Sequence, residues 1–183
     1  MNSVQAVASA KAADVATTTP RAGPLARGTV SGLLGGAAMA AFLVGAAAAA
    51  GMDPLQPVRA IGTTFAGPEA LRGGAGIVAW GLLLHAATSA AFGLLFVGLF
   101  PVDQSPLGAA VLGAGYAMFV LGLMAAGVVP VASPAFRPAV QPLGGTWVVA
   151  HALFGCVLGL AAARPGSRRS GAGVPAGDRT RGA

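Results

Sequence analysis

The stretch GGAGIVAWGLLLHAATSAAFGLLFVGLF, residues 73–100, contains no Asp, Glu, Lys or Arg. A helix needs about 20 mostly apolar residues to cross a hydrocarbon layer of about 30 Å. This run is long enough, and it fixes the fold class: an all-α membrane protein, with this span centred on residues 75–99. Working outward, three more charge-free stretches qualify. Residues 28–50 read GTVSGLLGGAAMAAFLVGAAAAA, an Ala-rich and only mildly hydrophobic span. Residues 107–129 form the third span, and residues 146–163 the fourth and shortest. The expectation is a four-helix transmembrane bundle over residues 28–163.

Composition agrees with this reading. Only 9% of the 183 residues are charged, against about 25% in a soluble domain. Glycine, at 29 residues, suits helices whose backbones approach closely within a membrane. The net charge of +6 does not imply nucleic acid, because no basic face alternates with aromatics. Cys156 is the single cysteine, which excludes an intrachain disulfide and CxxC chemistry.

The basic residues orient the spans. Lys11, Arg21, Arg27, Arg164, Arg168, Arg169, Arg179 and Arg181 lie in the tails, and only Arg59, Arg72 and Arg137 lie elsewhere. With four spans both tails share one side, and the excess of positive charge makes it the cytoplasmic side. Residues 1–27 and 164–183 read as disordered cytoplasmic tails. The first lacks the early apolar run of a cleaved signal peptide. The expected partners are the lipid bilayer, anionic headgroups at the tails, and a second copy packed through Gly-rich faces. The outer connections, residues 52–72 and 128–145, are long and proline-rich. In the first, Val58, Ile61 and Phe65 fall at near-helical spacing, as in a short interfacial helix. In the second, Pro130, Pro134, Pro138 and Pro142 rule out a regular α-helix.

The spans also repeat. Phe42-x-x-Gly45 then Gly51-x-x-Pro54 matches Phe119-x-x-Gly122 then Gly127-x-x-Pro130. Gly81, His85, Ser89 and Gly93 match Trp147, His151, Gly155 and Gly159, each set spaced by four residues and so forming one stripe on a helix. Two tandem two-helix repeats in parallel orientation would carry the stripes toward each other, with the histidines near a common axis.

His85 and His151 are therefore the candidate site. Two facing histidines can ligate a b-type haem, bind a metal, or serve proton-coupled transport. The plainer reading is that each donates a hydrogen bond to a neighbouring helix. Cys156, Met118 and Met124 are possible soft copper ligands, but apolar packing explains them more simply. No metal or other cofactor is required by the sequence. Ser31 and Ser89 are the candidate nucleophiles in the spans, without a surrounding hydrolase motif. The chain reads as a structural or accessory protein and not as an enzyme.

These motifs, His85-x-x-x-Ser89-x-x-x-Gly93 and His151-x-x-x-Gly155-x-x-x-Gly159, together with the early Gly-rich span and the Pro-containing outer loop, resemble small bacterial inner-membrane proteins of the YagU type. Ser89 stands where that group would have Gly. The resemblance extends over residues 28–163. It implies a multi-pass protein of the bacterial inner membrane and carries no established chemistry.

Overall fold

The computed structural model describes residues 23–101 and 103–164, and among these every regular element is helical. The expected tails lie largely outside the described residues. Helix α1 spans Pro24–Ala49, α2 Gln56–Ala66, α3 Ala75–Leu99, α4 Pro106–Leu123, α5 Phe136–Val140 and α6 Thr146–Ala162. The first helix begins at Pro24, earlier than residue 28. Proline suits a first helical turn because its missing N–H would have no partner there. Ser105 caps α4 by accepting from the Gly108 N–H at 3.1 Å.

Beyond Leu123, α4 continues through a π turn, Met124–Val128, into a last turn, Val129–Ala132. The helix Pro106–Ala132, together with α1 and α3, is long and apolar enough to cross a membrane. The fourth, α6, joins them when counted with Phe136–Leu143, from which it is bent by 92°. These helices are apolar on their outer faces as well: Leu83, Leu95, Val111 and Phe119 are all more than half exposed. Water would penalise such a surface and hydrocarbon would not.

Helix α1 packs along both α3 and α6, and α6 packs along α4. Met39 and Leu43 of α1, Phe96 of α3, Tyr116 and Val120 of α4, and Phe154 and Leu158 of α6 form the main buried core. Helices α3 and α4 meet mainly through large side chains. Phe96, Phe100 and Tyr116 stack with centroids 5.3–5.8 Å apart, and the Tyr116 hydroxyl donates to the Phe92 carbonyl at 3.0 Å.

The proline-rich second connection contains no long helix. It is a run of single helical turns: Val129–Ala132, α5, and a 3-10 turn Gln141–Leu143. A proline is tolerated in the first turn of a helix, so short turns restart after each break. The first connection carries the anticipated helix, α2, but its regular geometry ends at Thr64. Phe65 follows with φ 65° and ψ −14° and is 81% exposed. Val58 is buried and Ile61 half-buried, so the apolar face ends before Phe65.

Candidate functional site

Each histidine stripe packs backbone to backbone, and each on a different helix. A Cβ placed on Gly93 would strike the Gly28 carbonyl and the Gly32 backbone, and one on Gly32 would strike the Ser89 carbonyl. Gly36 lies against the Ser89 side chain, while Gly81 lies against the Val58 carbonyl of α2. The α3 stripe therefore faces α1, capped toward the start of α3 by α2. In the other pair, a Cβ on Gly155 would strike the Gly113 carbonyl and one on Gly159 the Ala109 carbonyl. The α6 stripe faces α4. The two stripes do not face each other, contrary to the sequence expectation, because each found its close partner in the preceding long helix.

The two histidines differ in their bonding. His85 Nε2 lies 2.9 Å from the Gly36 carbonyl of α1 and donates to it across the interface. His151 Nδ1 lies 2.8 Å from the Trp147 carbonyl, one turn back in its own helix. Each ring keeps its other nitrogen as an acceptor. Beside His85 is a cavity of about 20 Å³ bounded by Leu43, Val44, Val58 and Leu82, enough for about one water. Cys156 is half-buried and free. Among the described residues, no group of three or more His, Cys, Asp or Glu is placed to hold a metal. Ser31 is buried and donates to the Gly28 carbonyl at 3.1 Å, away from either imidazole's recorded bonds.

The two long connections, residues 52–72 and 128–145, pack against each other as a cap at one end of the long helices. Helices α2 and α5 pack together around Ala60, Ala139 and Val140. Trp80 donates to the Thr64 carbonyl at 3.2 Å, and Trp147 to the Val140 carbonyl at 3.3 Å. Arg59 pairs with Asp53 and also donates from Nε to the Gly73 carbonyl at 3.0 Å. That guanidinium joins the end of α1 to the start of α3. The Leu55 N–H and Arg59 hold the Asp53 carboxyl below the usual carboxylate range.

Thr63 and Ser133, 2% and 3% exposed, join the two connections through their hydroxyls. Thr63 donates to the Ala60 carbonyl at 2.7 Å, so the proton between the hydroxyls comes from Ser133. Over this pair opens a cleft of about 460 Å³ lined by Thr63, Phe65 and Pro68 on one wall and Ala132, Pro134 and Ala135 on the other. No regular spacing in the sequence marks it, since its walls lie about 70 residues apart. Comparison with known families, curated proteins and solved structures finds no match for this chain.

Proposed function

We propose that this chain is a structural or accessory multi-pass membrane protein whose histidines act as hydrogen-bond donors inside the apolar layer. The observation that carries this reading is the bond from His85 to the Gly36 carbonyl, set within a backbone-tight interface. A neutral imidazole bonding across helices in hydrocarbon contributes about 0.6–2 kcal/mol. A bis-histidine haem fits these residues poorly. The stripes face different helices, and the cavity beside His85 holds about 20 Å³, far below the several hundred Å³ of a typical cofactor pocket.

The finer architecture belongs to the same proposal: four spans in a bundle made of two tandem repeats. Two contact pairs support it. Gly36 meets Ser89 while Gly113 meets Gly155, and Gly32 meets Gly93 while Ala109 meets Gly159. The offset is the same in both pairs, 77 for the first helix (113 − 36 and 109 − 32) and 66 for the second (155 − 89 and 159 − 93). A bacterial inner-membrane location, cytoplasmic tails, lipid contacts at those tails, self-association and kinship with the YagU type complete the reading.

Two measurements test it. An absorption spectrum and metal analysis of the detergent-purified protein should give neither a Soret band nor stoichiometric metal. A Soret band lost in both His85→Ala and His151→Ala would replace the structural reading with a haem-binding one. Reporters fused at either tail should read as cytoplasmic, and one within residues 52–72 as external; an external C-terminus would overturn the four-span topology.

A further inference from the structure

We propose that the outer cleft holds an acyl chain of one anionic phospholipid, whose headgroup rests against Arg72 and Arg137. This rests on the membrane reading above and assigns a ligand to a site outside the histidine stripes. The cleft, about 460 Å³, lies within the range of small-molecule sites. Its walls are proline, alanine and phenylalanine carbon. Its one hydroxyl, Thr63, is already bonded to the Ala60 carbonyl and to Ser133. Among the described residues, no buried side-chain nitrogen or oxygen lacks a partner. The lining side chains therefore offer no free hydrogen-bonding group to a sugar or peptide, and the mostly apolar wall suits a hydrocarbon tail.

The rim suits an anionic amphiphile better than a neutral one. Phe65 and Val131, 81% and 84% exposed, project large apolar surface of the kind that sits at a bilayer boundary. The only φ of a non-glycine in the left-handed region among the described residues is that of Phe65, a conformation costing about 1–2 kcal/mol, and it turns the ring out to this rim. A basic residue follows each wall along the chain. Arg72 ends the 3-10 turn that begins at Pro68, and Arg137 lies two residues past Ala135 and is exposed. Glu69, 3.5 Å from Arg72, offsets part of that charge, but an exposed pair of this kind binds weakly. No carboxylate lies in residues 128–145, so Arg137 supplies the net positive charge that a phosphate recognises.

The test is native mass spectrometry of the full chain in detergent, titrated with dioleoyl phosphatidylglycerol and with dioleoyl phosphatidylcholine. The wild type should retain one phosphatidylglycerol more tightly than phosphatidylcholine. Arg137→Gln should weaken phosphatidylglycerol about fivefold, the effect of one cationic side chain at a lipid surface, and leave phosphatidylcholine unchanged. Ala132→Trp, which fills the cleft, should abolish retention of both. If that variant fails to elute as a folded species, Arg72→Gln combined with Arg137→Gln carries the test on exposed positions. Equal affinity for the two lipids, an unaffected Arg137→Gln, or the same loss from Leu83→Trp on the outward face of α3 would overturn the proposal. Release of the protein from membranes by alkaline carbonate would instead overturn the membrane reading itself.

Discussion

Where α1 meets α3, a histidine reaches across to the neighbouring helix; where α4 meets α6, the matching histidine bonds back to its own. The glycine contacts around them are the same. Gly93 against Gly28 and Gly32, and Gly159 against Ala109, bring backbone onto backbone in both pairs. Close approach is thus what the two helix pairs share, and the polar chemistry is free to differ. The junctions between the pairs differ as well. Gly35 of α1 lies against Phe154 of α6, whereas α3 and α4 are held off by Phe96, Phe100 and Tyr116.

The largest expected effect tests the shared part. Gly93→Leu and Gly155→Leu should each destabilise the protein by about 3 kcal/mol, since a large side chain must separate helices that now touch. Gly127→Leu, with open space around its Cα, should change thermal stability in detergent little. Equal melting temperatures for the three would break the comparison; sensitivity in one half alone would show that the two pairs are not equivalent.

The junction between the two long connections comes next. Thr63→Val takes the acceptor away from the buried Ser133 hydroxyl and should cost about 1–3 kcal/mol. Adding Ser133→Ala should restore part of that loss, giving a coupling of about 1 kcal/mol in a double-mutant cycle. Strictly additive losses would mean that the hydroxyl pair does not join the halves.

The histidines should show the smaller contrast. His85→Ala is expected to cost about 1 kcal/mol, by removing a bond between helices, and His151→Ala less, because its bond lies within one helix. The two losses should add to within about 0.5 kcal/mol, as sites on separate interfaces do. A larger loss from His151→Ala would reverse the assignment of the cross-helix donor.

The smallest effect concerns pH and the Asp53–Arg59 pair. The folded carboxyl titrates below its ordinary value, so its contribution is present above the unfolded pKa of about 3.9 and is lost as pH falls through the lower folded value. Acidification below about pH 4 should therefore lower the melting temperature of the wild type more than that of Asp53→Asn. Identical acid slopes would remove the pair from the account.

The long helices were legible because charge-free windows of span length leave few alternatives in a chain so poor in ionisable groups. The stripes were legible too, since residues four apart share a helix face. Their partners were not. A row of small residues states that another backbone comes close, without naming which one, and the sequence reading joined the two stripes to each other. The cap was the least legible region. Phe65 keeps helical spacing with Val58 and Ile61, yet the backbone turns at Thr64 and reverses its side chain. Thr63 and Ser133 are an ordinary threonine and serine until folding buries them together.

The length of α6 has a consequence for the surrounding lipid. Its 17 residues rise only about 25 Å at 1.5 Å each, while the 26 residues of α1 reach about 39 Å. One protein cannot match a single slab of hydrocarbon with both. With both taken as spans, α1 would lean or carry its Arg27 end beyond the hydrocarbon, and the bilayer would thin beside α6. Such a mismatch would make the protein partition toward thin, short-chain bilayers and away from thick, ordered ones.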